Sequence, residues 1–278
     1  MSWVVIEGTV IEYDDTCTDV GAGDPLVLIH GHPFNRSMWR PQVEHFARAG
    51  RRVVTPDLRG YGRSAVVPAV TGLETFARDI AGLLDHLGLR RVMLGGLSMG
   101  GQVVLEFYRL FPDRVRALVL ADTSAPAESP SGRRERSEMA ARLLREGLRG
   151  YADEVLPKMV APSTLRTRPE VADHVLDMMR GTSPLGAAAA LRGRSARPSY
   201  VELLPHIRVP TLVVVGGEDE FTPISDAELI ADRVPDATLE IVHGAGHLPN
   251  LERPAEFNAA LEHFLRSLPS DQDGFHAA

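Results

Sequence analysis

The sequence predicts an α/β protein built on a mainly parallel sheet, with helices on both faces and one long helical insertion. Three observations carry this expectation. Short apolar runs recur along the chain, each followed by turn residues, and from Leu26 onward most are continuous rather than alternating. Continuous runs suit strands covered on both faces, the mark of a parallel sheet. Between them lie segments with apolar residues at helical spacing, and between Ala121 and Thr211 the strand signal stops altogether.

Taken in order, residues 4–6 and 9–12 are strand-like, and Glu7-Gly8 between them predicts an antiparallel hairpin at one sheet edge. Further strands are expected at 26–29, 52–56, 92–95, 115–121, 211–215 and 238–242. Leu73, Phe76, Ala77, Ile80, Leu83, Leu84 and Leu87 define one helix, and Leu261, Phe264, Leu265 and Leu268 a terminal one. In the strand-free stretch, helices are expected over 133–148, 170–180 and 183–192, with hinges at Pro126, Pro130 and 205–210. The expected division is a core of residues 1–122 and 208–269, a helical cap of 123–207, and a flexible C-terminal tail of 270–278.

A chain of 278 residues with 44% hydrophobic content can bury one sizeable core. A single cysteine, Cys17, excludes an internal disulfide and reads as a bystander thiol compatible with a reducing compartment. No apolar stretch reaches the roughly 20 residues of a membrane helix, and residues 1–15 carry carboxylates and no basic side chain, unlike a secretory signal. The expectation is a cytoplasmic protein that binds neither membrane nor nucleic acid, since a net charge of −7 opposes binding to phosphate backbones. Charge is unevenly placed: residues 123–207 hold 13 basic and 10 acidic side chains, a mildly basic insertion over an acidic body. Such a balance suits anionic substrates or simply solvated helix faces.

Chemistry is concentrated at Gly96-Leu97-Ser98-Met99-Gly100, which follows a predicted strand and precedes a predicted helix. Glycines two before and two after a serine let strand and helix pack closely around a residue forced into a strained conformation, its hydroxyl exposed. A serine hydroxyl is un-ionised at neutral pH, so it requires a base to take its proton and an acid to orient that base. Asp219, just past the 211–215 strand, is the candidate acid, with Glu218, Glu220 and Asp122 as rivals. His247, in a glycine-rich loop after the last strand, is the candidate base, with His243 as its rival. Loops at the carboxyl ends of parallel strands gather on one edge of the sheet. An oxyanion hole is expected from the backbone N–H groups of His32 and Met99, because Pro33 has no N–H to offer. His30 is expected to brace that loop. No carboxylate or cysteine cluster joins His30 and His32, so neither a metal nor any other cofactor is expected.

With these pieces together the chain resembles the α/β-hydrolase superfamily over residues 7–268. The resemblance rests on His30-Gly31-His32-Pro33 with Trp39 downstream, Asp57-Leu58-Arg59-Gly60-Tyr61-Gly62-Arg63-Ser64, the serine turn, 216–223, and Gly244-Ala245-Gly246-His247. It implies an eight-stranded, mainly parallel sheet with flanking helices and a cap, and a structural role for Asp57. An aspartate in place of Ser98 would have implied a dehalogenase or an epoxide hydrolase. The serine turn and the 187–193 segment look like bacterial esterases and 3-oxoadipate enol-lactonase-like proteins. His32 departs from relatives that carry an apolar or aromatic residue there, and its imidazole is a candidate substrate contact. The expected function is hydrolysis of a small carboxylic ester or lactone through an acyl-enzyme. The alternatives are carbon–carbon bond hydrolysis or cofactor-free perhydrolysis or haloperoxidation with the same triad, and a non-enzymatic ligand receptor. Substrate choice is expected in the cap, where Met139, Leu143, Leu144, Met159, Leu176, Met178 and Met179 are candidate pocket residues or ordinary packing. Nothing in the sequence fixes the oligomeric state.

Overall fold

Glu7 and Gly8 both adopt positive φ (47° and 77°), the primed-turn geometry that matches the twist of a two-residue hairpin. They join β1 (Ser2–Ile6) to β2 (Thr9–Asp15) in an antiparallel pair that caps one edge of the sheet. The computed structural model describes residues 2–16 and 24–269; Cys17 and the tail at 270–278 lie outside the described residues.

The remaining strands are β3 (Leu26–Ile29), β4 (Val53–Pro56), β5 (Val92–Leu97), β6 (Val115–Ala121), β7 (Thr211–Gly216) and β8 (Ala237–Val242). They complete an eight-stranded sheet of order β1-β2-β4-β3-β5-β6-β7-β8, antiparallel between β2 and β4 and parallel from β4 to β8. Strands β3, β4, β5 and β7 are buried throughout, and β6 is buried except at Arg116, as a sheet covered on both faces requires. Alternate residues serve opposite faces. Val27 and Ile29 of β3 join a cluster containing Phe76 and Ile80 of α2 (Leu73–His86) and Val103 of α3 (Met99–Leu110). Leu26 and Leu28 join a second cluster with Phe46 of α1 (Arg40–Arg48) and with Phe257 and Leu261 of the terminal helix (Pro254–Ser267). Among the described residues, no helix is long and apolar enough to cross a membrane.

Between β6 and β7 the chain forms five helices, α4 (Pro130–Glu146), α5 (Arg149–Met159), α6 (Pro162–Thr167), α7 (Pro169–Gly181) and α8 (Pro184–Ser195). Three were expected, and the two additional ones, α5 and α6, are short. Helix α5 carries Pro157 in its last turn and a weak apolar pattern, while α6 has only six residues. Helix α4 starts at Pro130, capped by Ser129, whose Oγ accepts the Gly132 N–H (3.0 Å), and it stops before Gly147, whose φ is 73°.

Helix α8 seats on the core through two glycines seven residues apart. A Cβ at Gly186 would lie 2.0 Å from the Gly60 carbonyl oxygen, and one at Gly193 would lie 1.8 Å from that of Thr71. The Thr71 N–H donates to the Ala189 carbonyl between them (3.0 Å). Gly193→Ala is therefore expected to destabilise the protein by about 2 kcal/mol, because overpacking outweighs a helix-propensity gain of about 1 kcal/mol. Gly150→Ala in α5, where nothing lies within 4 Å, should instead stabilise by about 0.5–1 kcal/mol. Urea denaturation of both variants checks the pair; shifts of the same sign would contradict the packing account.

Candidate active site

Ser98 occupies the single residue between β5 and α3, at φ 57° and ψ −117°. A non-glycine residue is strained there, and the surroundings hold it in place. Its N–H donates to Ala121 O (2.9 Å), and its carbonyl accepts from Thr123 Oγ1 (2.7 Å). The flanking glycines are required by approach distance: a Cβ at Gly96 would fall 2.3 Å from the Gly100 carbonyl carbon, and one at Gly100 would fall 2.2 Å from Ile29 O. Strand and helix thus close to backbone contact around the serine.

Two later loops are joined to each other. Gly217 N donates to Val242 O (2.9 Å) and Glu218 N to Ala245 O (2.8 Å), while Gly216 presses against Gly246 so closely that a Cβ would lie 1.8 Å from its oxygen. This brings Asp219 to His247, whose Nδ1 lies 2.7 Å from Asp219 Oδ2. A carboxylate only accepts, so Nδ1 carries the hydrogen and Nε2 is the imidazole's remaining acceptor. Asp219 also accepts from the N–H groups of Phe221 (2.8 Å) and Thr222 (3.3 Å) and from Thr222 Oγ1 (2.5 Å). Burial alone would raise its carboxyl, but His247 and these donors together hold it below the ordinary value.

Asp122, the rival acid at the end of β6, stands behind this pair. Ligand atoms of Asp122, Asp219 and His247 all lie within 4.8 Å of one another. Asp122 Oδ1 accepts the Gly216 N–H (2.8 Å), and Oδ2 is buried without a hydrogen-bond partner among the described residues. Burial drives its carboxyl well above the ordinary range, and the Asp219 charge adds to the rise. Burial and the neighbouring Asp219 charge thus both favour the protonated carboxyl of Asp122. Neither His243 nor Glu218 or Glu220 bonds to His247.

Sequence reasoning missed Glu252. Fully buried in a short turn of helix (Pro249–Glu252), it accepts from the N–H groups of Gly246 (2.9 Å) and Leu248 (3.3 Å), on either side of His247. It also accepts from Ala161 N (2.7 Å) and Thr164 Oγ1 (2.7 Å), and the His247 N–H donates to Met159 O (3.1 Å). The histidine loop is thereby fastened to the end of α5 and the start of α6. The signal available in the sequence was an acid five residues after the candidate base.

The His30–Pro33 turn lies against Ser98. A Cβ at Gly31 would sit 3.0 Å from Leu97 O and 3.3 Å from Ser98 Cβ. His30 braces the turn: its Nδ1 contacts Gly31 O (2.8 Å) and Nε2 accepts the Leu58 N–H (2.9 Å), which fixes the neutral tautomer. Burial lowers its pKa further from neutrality. Asp57 holds the adjoining loop, accepting from the N–H groups of Arg36 (2.8 Å) and Arg63 (2.9 Å) and pairing with the Arg36 guanidinium. Met99 opens α3, so its N–H has no partner within the helix. The His32 ring shares a hydrogen bond with Tyr61 through Nδ1 (2.7 Å), and its buried Nε2 has no partner among the described residues. Burial and the charges of Arg194 and Arg136 push its pKa well below the ordinary value, so it is neutral.

Ser98, His247 and His32 open onto one cavity of about 320 Å³, lined further by Gln102, Ser124, Glu128, Arg136, Tyr151, Leu191, Arg194, Phe221 and other residues. Of the seven cap residues expected to line it, Met139 and Met159 do. Leu143, Met178 and Met179 pack inside hydrophobic clusters, Leu176 is half-buried against one, and Leu144 faces outward. Helical spacing marked these side chains as apolar without telling which helix face meets the cavity.

Residues 24–254 match the sequence profile of a family described as alpha/beta hydrolase fold, and the chain belongs to this family. It is similar to 3-oxoadipate enol-lactonase 2 of Acinetobacter baylyi, 29% identical over 88% of this chain and 91% of that protein. A second relative, the 2-hydroxy-6-oxononadienedioate/2-hydroxy-6-oxononatrienedioate hydrolase of Burkholderia vietnamiensis, is 30% identical over 95% of this chain and 94% of its own length. The solved structure of a thermophilic esterase from Thermogutta terrifontis, with malate bound, superimposes with a TM-score of 0.92 at 38% identity, covering 97% of this chain and 99% of that one. The protein is an α/β-fold hydrolase.

Two predictions test the buried carboxyls. The folded state holds the Asp122 proton that the unfolded chain releases, so this stabilisation is full below the ordinary carboxylate value and is lost as pH rises toward the folded value. Asp122→Asn, which mimics the protonated group, should raise Tm more at pH 8 than at pH 4; an equal change at both would contradict a raised Asp122 carboxyl. Glu252→Ala leaves several buried donors unmatched and should destabilise by about 3 kcal/mol, measured by urea unfolding. A loss below about 1 kcal/mol would show that the four hydrogen bonds do not hold the loop.

Proposed function

We propose that the protein is a serine hydrolase that cleaves a small carboxylic ester or lactone through an acyl-enzyme. The observation that carries this reading is the 2.7 Å bond from His247 to Asp219, which leaves Nε2 as the free acceptor beside a cavity that also holds Ser98. Ser98 Oγ attacks the carbonyl carbon while His247 Nε2 takes its proton, and Asp219 holds the tautomer and stabilises the imidazolium. The carbonyl oxygen gathers negative charge between the N–H groups of His32 and Met99, where the N-terminus of α3 adds a favourable dipole. His247 then passes its proton to the leaving oxygen, and water, activated by the same imidazole, releases the acid. Asp122, which accepts the Gly216 N–H, stands behind Asp219 without bonding to His247.

Residues 123–207 serve as a cap that forms one wall of the cavity and carries substrate choice. The names of the relatives agree with acyl chemistry on small molecules, an enol-lactonase and an esterase among them. Carbon–carbon bond hydrolysis with the same residues is the second reading, favoured by the likeness to the hydroxy-oxo-dienedioate hydrolase along nearly the whole chain.

Ser98→Ala and His247→Ala are each expected to lower kcat on p-nitrophenyl acetate, butyrate and small lactones by about 10⁴-fold or more, with the fold intact by circular dichroism. Near-native turnover by Ser98→Ala would contradict the reading. Cleavage of a vinylogous diketone without turnover of any ester would favour the second.

A further inference from the structure

Three arginines from the insertion, Arg136, Arg194 and Arg197, gather beside the cavity with one carboxylate, Glu128, among them. Glu128 is committed to two of the three: Arg136 Nη2 lies 2.6 Å from it and Arg197 Nη2 lies 3.8 Å from it. Arg197 also reaches Ala125 O and Ser124 Oγ, each at 3.4 Å. Glu135 lies on the same rim but is exposed to solvent. Arg194 is different. It is 7% exposed, lines the cavity, and its one hydrogen bond to a described residue runs from Nε to Gln102 Oε1 (3.2 Å). No carboxylate among the described residues lies within ion-pair distance of it.

A buried guanidinium without a counter-ion is costly, and folded proteins rarely leave one so. Burial and the two neighbouring arginines pull the Arg194 pKa down to about 9, which still leaves it charged at neutral pH. With Nε turned to Gln102, the Nη1–Nη2 edge remains, two parallel donors in the geometry that grips a carboxylate. Gln102 ties this cation to the nucleophile's own helix: it lies four residues after Ser98, about 6 Å along α3. Its N–H donates to Ser98 O (3.2 Å).

We infer that Arg194, held by Gln102, forms an anion subsite, and that the natural substrate is an ester or lactone bearing a second, free carboxylate a few bonds from the scissile carbonyl. The ester or lactone half of this statement rests on the proposed serine hydrolysis; the subsite itself does not. The substrate carboxylate supplies the counter-ion that Arg194 lacks, and its binding fixes the carbonyl over Ser98. A neutral ester of the same length fits the cavity but leaves the guanidinium unpaired, so discrimination comes from a desolvated charge.

The test has a binding arm and a kinetic arm. Titration calorimetry of wild-type protein, Arg194→Gln and Arg194→Lys with glutarate, and with glutaramide as the neutral isostere, reads the subsite without turnover. Glutarate is expected to bind wild type at least 10-fold more tightly than glutaramide, to lose about 10-fold or more in Arg194→Gln, and to recover part of this in Arg194→Lys. In the kinetic arm, mono-p-nitrophenyl glutarate should exceed p-nitrophenyl pentanoate in kcat/KM for wild type, and the ratio should collapse toward one in Arg194→Gln chiefly through KM. Hydrolysis of both esters at similar rates, with no Arg194-dependent binding of glutarate, overturns the subsite and leaves serine hydrolysis standing. Arg194-dependent binding of glutarate without hydrolysis of either ester supports the subsite and removes the ester reading instead.

Discussion

The site depends on one strained residue. Ser98 at φ 57° is tolerable because β5 and α3 meet at backbone distance, which requires glycine at 96 and 100. The same closeness sets the Met99 N–H at the helix start and brings the Gly31 turn against the serine. Ser98 and both proposed oxyanion donors are therefore positioned by one packing constraint among β3, β5 and α3. Side-chain hydrogen bonds then refine a geometry the backbone has already imposed.

The second constraint is the joining of the β7 and β8 loops. Gly216 against Gly246 and two backbone hydrogen bonds leave little freedom between Asp219 and His247. Glu252 extends this rigidity into the insertion by accepting from both sides of the histidine and from α6. Insertion and proposed base are consequently parts of one hydrogen-bonded assembly. Buried carboxyls divide the work by environment: Asp219, surrounded by donors, is held below the ordinary carboxylate value, whereas Asp122, with one backbone donor and a charged neighbour, is pushed well above it.

Much of this was readable from residues alone, for identifiable reasons. Buried parallel strands must be apolar on both faces, so the continuous runs of the central strands marked them, while Glu7-Gly8 marked the edge hairpin. Glycines at backbone contacts cannot be replaced, so 96, 100, 216 and 246 marked the loops that meet. Helices α5 and α6 escaped notice because Pro157 and a six-residue length erase the periodic signal. Glu252 and Arg194 escaped because their roles arise from partners 91 and 92 positions away. Of the cap methionines, only 139 and 159 reach the cavity, since helix rotation about its axis is set by tertiary packing.

The central claim is that Ser98 is the one hydroxyl made nucleophilic by this arrangement. The most direct measurement is intact-protein and peptide mass spectrometry after exposure to a fluorophosphonate ester. The account predicts a single covalent adduct on the peptide containing Ser98, formed rapidly and abolished by prior denaturation. Absence of an adduct on the folded protein, or an adduct located on another residue, would contradict it.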